Sequence, residues 1–384
     1  LQDASNNKTL ITTPIFYAFK NFQVQNRALY AQARAVAEKK LNGLNTIRFG
    51  SDYFYSKEKS TYILYDGTRF PGTVKDNLVS VFAEADIYIT NSLAAKLGSR
   101  LEHSDLVGKW NLAPRASIAY KFADNSQASF AYGLFYQNPE RRYLPALASL
   151  DYSRAAHYIL QYQKLTSQRT FRVEAFYKKY SDLYKTTVSL GGQEAASSNN
   201  GFGDAKGVEL FWRDRKTFKD VDYWISYSYL DTKRDYLNYP YAITPSFAAN
   251  HTASLVVKRF VVPWKTGFNL SYSFATGRPY YRIAYDNAQS KYVITDAGKT
   301  INYNSMSFSV NYLPALGKKN PKVFTVWVLG VNNVLGQNQV FNYNYSNDGS
   351  RKVPVTPPSK RFIFIGCFLS FGVDRTQDAI NNNL

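Results

Sequence analysis

Phe268-Asn269-Leu270-Ser271-Tyr272-Ser273-Phe274 is the stretch that decides the fold. Successive side chains of an extended chain point to opposite faces. Phe268, Leu270, Tyr272 and Phe274 therefore share one face, and Asn269, Ser271 and Ser273 the other. The same alternation recurs near 24–38, 44–56, 78–90, 93–104, 110–122, 126–137, 154–165, 169–187, 203–213, 220–231, 250–260, 264–276, 302–313, 322–334 and 360–371, with a weaker run near 9–18. These fifteen or sixteen runs hold about ten to fourteen residues each, against ~5–6 for a strand of a soluble sandwich. That is the length a tilted strand needs to cross a bilayer. The expected fold is all-β, a transmembrane antiparallel β-barrel with a lipid-facing apolar band and a polar lumen.

The connections sort into two classes. Thr90-Asn91-Ser92, Ala123-Asp124-Asn125, Thr166-Ser167-Gln168 and Val261-Val262-Pro263 are short and made of turn residues. Segments 57–77, 138–153, 188–202, 232–249, 277–301 and 335–359 read as long polar loops. Short turns at one rim and long loops at the other are what an outer-membrane barrel shows. The long loops are thus expected outside the cell, and Leu313 to Pro321 and the tail 373–384 in the periplasm. No Pro/Ser/Gly linker divides residues 1–384 into domains.

Composition agrees and removes alternatives. Mean hydropathy is -0.37, and no apolar run approaches the ~18 residues of a membrane helix. A barrel escapes that test, because only alternate residues meet lipid. With 32 Tyr and 26 Phe the chain has material for aromatic girdles. The net charge of +19 is scattered over turns, loops and inward strand positions, without the single basic stripe of a nucleic-acid binder. One Cys and three His are too few for a Cys/His zinc site, so neither metal nor cofactor is expected. Cys367 reads as a small lipid-facing or packed residue, and His157 and His251 as strand-end residues. No Ser-His-Asp arrangement is recognisable, and the chain is not read as an enzyme.

Several segments in order, namely Pro114-Arg115-Ala116-Ser117-Ile118-Ala119-Tyr120-Lys121, Ala131-Tyr132-Gly133-Leu134-Phe135-Tyr136-Gln137-Asn138-Pro139, Arg172-Val173-Glu174-Ala175-Phe176-Tyr177, Gly207-Val208-Glu209-Leu210, Ala275-Thr276-Gly277-Arg278-Pro279-Tyr280 and Gly330-Val331-Asn332-Asn333-Val334-Leu335-Gly336, resemble the barrel of TonB-dependent outer-membrane receptors, of the kind found in gut Gram-negative anaerobes. The resemblance spans nearly the whole chain. It implies a barrel of about 22 strands closed by an N-terminal plug, and TonB-energised uptake of a scarce nutrient such as a ferric siderophore or an oligosaccharide. Against that pattern the chain holds the C-terminal 15–16 strands, without plug or TonB box, and begins at Leu1; an exported N-terminal part is expected. A passive 16-stranded porin is the alternative.

The same reading nominates residues. Specificity is expected in the loops, where Arg forks and aromatic faces cluster: Arg141, Arg142 and Tyr143; Arg278, Tyr280, Tyr281 and Arg282; Tyr343 and Arg351. Arg115, Arg172, Glu174 and Glu209 are expected to line the lumen, with Glu84, Asp86, Arg100 and Arg213 on the same face. The partners expected are outer-membrane lipid and lipopolysaccharide, the TonB complex, a small-molecule or oligosaccharide ligand, and a surface lipoprotein.

Overall fold

The computed structural model describes residues 23–63, 67–140, 150–188, 194–318, 322–346 and 349–372. Fifteen strands form one antiparallel sheet in which nearly every strand pairs with its sequence neighbour. The first nine are β1 (Gln23–Lys40), β2 (Thr46–Ile63), β3 (Arg69–Tyr88), β4 (Leu93–Ser104), β5 (Lys109–Lys121), β6 (Ser126–Gln137), β7 (Ser153–Leu165), β8 (Arg169–Val188) and β9 (Glu194–Asp214). The sheet continues through β10 (Val221–Asp235), β11 (His251–Val261) and β12 (Thr266–Ala275). Two hairpins then leave it: β13 (Pro279–Asp286) with β14 (Lys291–Lys299), and β17 (Asn342–Tyr345) with β18 (Lys352–Val355). Between and after them β15 (Tyr303–Tyr312), β16 (Val323–Asn332) and β19 (Phe362–Phe371) complete the sheet. All fifteen alternating runs are strands; the weaker run near 9–18 and the tail 373–384 lie outside the described residues.

Directly paired residues of antiparallel strands share a face, so the register carries one face across the sheet. Glu38, Arg48, Glu84, Gly98, Arg115, Gly133, His157, Lys178, Ala205 and Thr232 form one unbroken row. Ser226, Ser254, Ser273 and Ser305 form another. The opposite face carries Phe49, Val81, Leu97, Leu112, Phe130, Leu160, Leu210, Ile225, Phe308, Leu329 and Ile365, each over a third exposed. A soluble fold cannot leave so large a contiguous apolar face in water; in a bilayer the same exposure is lipid contact. Cys367 is exposed on that face.

The short turns close themselves. The Thr90 hydroxyl accepts the N–H groups of Ser92 and Leu93, and the Asp124 carboxylate that of Ser126, while Asn125 takes a left-handed φ of 62°. On the inward face Gly50 stands opposite Phe82, and a Cβ there would strike the Phe82 ring. Gly207 stands likewise opposite Phe176, and a Cβ there would strike the Phe176 ring. Near the short-turn end the inward Phe260 and Phe324 clasp Leu313 and Leu316 in a small core.

The long-loop expectation needs revision in four segments. Segment 57–77 is mostly strand, because β2 runs to Ile63 and β3 starts at Arg69. Above the membrane both faces meet water, so a strand there can be polar on both sides, which makes it resemble a loop in sequence. Segments 277–301 and 335–359 each carry a hairpin for the same reason. Segment 188–202 is largely the start of β9.

Candidate functional site

The inward face divides into two halves of different chemistry. On β1 to β4 it is a lattice of ions. Arg48 reaches Glu38 and Asp86, both at 2.6 Å. Arg100 reaches Asp52 at 2.6 Å and Glu102 at 3.1 Å, and Arg34 lies 3.4 Å from Asp52 on its other side. Lys96 lies 3.2 Å from Glu84 and 3.7 Å from Asp86. Asp52 is nearly buried between its two guanidiniums. The expected inward Glu84 and Asp86 thus belong to a five-residue cluster with Glu38, Arg48 and Lys96, and Arg100 to a four-residue cluster with Arg34, Asp52 and Glu102. Arg34, Glu38, Arg48, Asp52, Lys96 and Glu102 were legible as charges at even spacing on successive strands, but not as these pairings.

Beyond β4 the inward charges no longer gather into clusters of this size. The Arg115 guanidinium lies 4.8 Å above the Phe135 ring, and that of Arg172 5.8 Å from Phe211. Glu174 stands directly opposite Glu209, whose other neighbour is Ser228. All four predicted lumen residues therefore share the inward face with the lattice. Arg213 is held bidentately by Asp222.

Toward the long-loop end of β11, and along β12 and β15, the inward face is mostly hydroxyl and small. Ser226 and Ser254 hydroxyls are 2.7 Å apart, and Asn269 donates to Ser309 at 3.3 Å. At the long-loop end this face opens into a recess of about 480 Å3 whose lining mixes Ser226, Thr252, Ser273, Thr300 and Arg278 with apolar groups of Phe274, Ile301, Val340 and Phe341. The Arg278 backbone is fixed by exchange with Thr300: its N–H donates to the Thr300 hydroxyl at 2.9 Å, and its carbonyl accepts the Thr300 N–H at 2.8 Å.

Over that end the two hairpins are knotted by one side-chain cluster. Lys352 Nζ donates to the Tyr280 hydroxyl at 2.8 Å and lies 3.2 Å from Asp296. The Tyr345 hydroxyl donates to the same carboxylate at 2.6 Å. Rings of Tyr280 and Tyr343 meet at 4.6 Å, with the Lys352 ammonium over both. The Arg282 guanidinium lies 5.8 Å from the Tyr345 ring and packs against Gly349, whose φ of 75° and lack of Cβ admit it. Tyr281 donates to the Thr244 carbonyl at 3.0 Å, tying the β13–β14 hairpin to the preceding loop. Arg351 is exposed at the turn between β17 and β18. The hydrogen bonds of Tyr345 and then of Lys352 hold the Asp296 carboxyl below its usual range. The bond to Tyr280, then Asp296, raises Lys352, and burial followed by Asp296 pushes Tyr345 up to about 12. Of the loop candidates, Tyr280, Arg282 and Tyr343 meet here, Tyr281 and Arg278 lie close in sequence below, and Arg141, Arg142 and Tyr143 lie outside the described residues. Lys352 and Asp296, which bind this cluster together, stood out in no sequence pattern.

The remaining histidines are structural partners. Nδ1 of His251 lies 2.8 Å from the Tyr227 hydroxyl on the outward face, and the His157 ring rests 4.6 Å from Phe135.

A sheet of membrane-crossing strands with a polar inward face and hairpins gathered over one end invites comparison with known barrels. The family described as TonB dependent receptor-like, beta-barrel, matches residues 2–334. The chain belongs to the TonB-dependent receptor barrel family. It is a barrel of the outer membrane, and its family is one of receptors and transporters, not enzymes. Among solved structures it is similar to a copper transporter, OprC, with a TM-score of 0.68 and 13% identity over 91% of this chain and 57% of that one. The ferric yersiniabactin uptake receptor FyuA of Yersinia pestis gives 0.64 and 15% over 91% and 56%. The outer membrane transporter YddB of Escherichia coli gives 0.65 and 14% over 90% and 54%. At such identities these likenesses concern the fold, and the chain spans about half the length of the solved receptors it matches. None of the curated proteins matches this chain. The family match does not favour a passive porin.

Proposed function

We propose that the sheet is the channel wall of an energised outer-membrane receptor that takes up a scarce, bulky nutrient in a TonB-dependent manner. The observation that carries this reading is the pair of ion clusters, of five and four residues, on the inward face of β1 to β4. A wall of paired charges is suited to hold a removable plug through exchangeable hydrogen bonds, where a permanent pore would need only a wetted surface. Arg115, Arg172, Glu174 and Glu209 would contact that plug or line the transport path. In this proposal the long-loop end faces outside, and the short turns, Leu313 to Pro321 and the tail 373–384 face the periplasm.

The proposal includes closure of the barrel. β1 and β19 each pair on one side only among the described residues, with β2 and β16. An unpaired strand edge in lipid costs several kcal/mol per backbone group. About six further strands, with a plug, would close it at the size the family implies.

For the ligand, the hydroxyl-lined recess with Arg278 beneath the tied hairpins supports a polar, oxygen-rich compound with an anionic group. A ferric siderophore or an acidic oligosaccharide has that chemistry, with Arg282, Tyr343, Arg351, Arg141, Arg142 and Tyr143 as further contacts from the loops. A surface lipoprotein over the hairpins would be the lid partner. The test is growth on candidate nutrients as sole source, with and without TonB and the proton motive force. TonB-independent growth, or a steady ungated conductance in a planar bilayer, overturns the reading.

A further inference from the structure

Five inward cations beyond β4 are held without an acid. The register puts Arg115, Arg172, Lys178, Arg234 and Lys258 on the inward face, and among the described residues none of them is in an ion pair. Each rests on an aromatic ring instead. Arg115 lies 4.8 Å from the Phe135 ring, Arg172 5.8 Å from Phe211, Lys178 4.8 Å from Phe176 and Lys258 5.4 Å from Trp224. Arg234 lies 4.3 Å from Tyr180, with Phe247 at 5.3 Å and Tyr236 at 5.7 Å. It reaches Tyr180 across the backbone of Gly203, which stands directly opposite both. A Cβ on Gly203 would meet the Arg234 side chain at 2.8 Å, so the crossing needs glycine. The Arg234 Nε is buried without a hydrogen-bond partner among the described residues.

The two sides of the wall therefore differ in charge. The clusters of β1 to β4 join four cations to five carboxylates, which leaves that side close to neutral. On the directly paired stretches of β5 to β11 the inward acids are Glu174, Glu209 and Asp222. Asp222 is taken by Arg213, and Glu174 faces Glu209 between Lys178 and Arg172. An ion pair cancels a charge, whereas a ring holds a cation in place and leaves its charge standing. A wall with surplus fixed charge concentrates counter-ions in the water beside it. The cations also span the sheet. Arg234 is at the long-loop end of β10, Lys178 midway along β8, Arg172 near the short-turn end of β8 and Lys258 near that of β11. The Arg278 recess opens at the long-loop end of the adjoining strands.

We propose that Arg234, Lys178, Arg172 and Lys258, with Arg115 beside them, form an electrostatic track that guides an anionic solute down the β5–β11 side of the lumen. The solute class is a carboxylate- or phosphate-bearing compound, handed from one cation to the next. Ring seats suit that traffic, because no fixed acid has to be displaced at each step. The inference rests on the proposed transport and deepens it: Arg115 and Arg172 belong to the path, and the near-neutral side of β1 to β4 is left to the plug.

The experiment reads the local potential in the full-length receptor in detergent micelles, with Cys367→Ser as the background. Ser226→Cys places one thiol on the row of Arg172 and Phe211, and Val36→Cys places one between Arg34 and Glu38. The probes are two methanethiosulfonates, one bearing a sulfonate and one a trimethylammonium group. Both react with the same thiolate, so its ionisation cancels in the ratio of their rates, taken relative to free cysteine. Expected is a preference for the sulfonate of about tenfold at Ser226→Cys, the result of little more than one kT of positive potential. At Val36→Cys the two probes should react alike. R172Q/K258Q should lower the preference at least about threefold, and K179Q/K206Q, on the outward face, should leave it unchanged. If the double variant fails to fold, judged by heat-modifiable mobility, R172Q alone should still lower it. Equal ratios at the two sites, no change in R172Q, or no reaction of Ser226→Cys with either probe overturns the track. TonB-dependent uptake without a sulfonate preference counts against the track alone. A sulfonate preference with TonB-independent growth supports the charged wall and counts against the proposed function.

Discussion

The inward faces of β1–β4 and of β11–β15 are built on the same alternation and do opposite things with it. The first gathers Arg48, Glu84, Asp86 and Lys96 into one ion cluster and Arg34, Asp52 and Arg100 into another. The second places Ser254, Ser271, Ser273, Ser305 and Ser307 on the wall, with Lys258 at its short-turn end. A charge turned inward must find a partner or stay hydrated, so the first half is bound into a cross-strand lattice. A hydroxyl can exchange wall partners for water at little cost, so the second half stays open and leads up to the recess at Arg278. The outward faces of both halves are alike, because lipid makes the same demand everywhere.

The largest effect tests that shared outward demand. Phe49→Arg in the charged half and Phe308→Arg in the hydroxyl half should each cost about 2–4 kcal/mol of stability in lipid vesicles, read by urea unfolding. A neutral result at either site would show that its face does not meet lipid. The next effect separates the halves. Asp52→Ala removes the shared partner of Arg34 and Arg100 and should cost about 2–3 kcal/mol by the same measurement. Ser271→Ala, on the equivalent face of β12, should stay within about 0.5 kcal/mol. Equal costs would dissolve the distinction drawn between the halves.

The hairpin cluster sharpens the comparison at the rim, and its effect is one of pH. Asp296 is depressed from 3.8, so its share of the tie is present above that value and lost as pH falls through its lowered one. Lys352 is raised from 10.5 and Tyr345 from 10.0 to about 12, so their shares are present below those starting values and lost as pH rises through the raised ones. The hairpins should therefore stay tied from about pH 4 to pH 10 and separate above about pH 12. Spin labels at Gln289 and Ser350 should report a narrow distance distribution within that window and a broad one above it, and Asp296→Ala should broaden it at neutral pH. The smallest effect is on Tyr281: Tyr281→Phe removes one part-buried hydrogen bond to Thr244, in a loop outside the sheet, and should lower the melting temperature by no more than a degree or two. A shift as large as that of Asp52→Ala would mean that the hairpin anchors the barrel instead of resting on it.

Much of this was readable in advance. Period-2 alternation placed all fifteen strands of the sheet, and parity put Arg115, Arg172, Glu174 and Glu209 on one face, because a side chain's facing follows from its position in an extended run. Strand ends above the membrane were less legible. Residues 57–63 and 69–77 carry Lys and Glu on alternate faces, and without an apolar face the alternation has no signal. The hairpin β17–β18 is four residues a side and was hidden for the same reason.

By itself, then, the chain determined its strands, their facing and their family, since each depends on residues two or a few positions apart and on one demand, that lipid be met by apolar side chains. Which side chains become partners was decided only by the tertiary structure. Lys352 meets Tyr280 across 72 positions, and Arg100 meets Asp52 across 48. Cross-strand register makes those meetings, and register depends on where each turn closes, a property of the whole sheet that no single run contains.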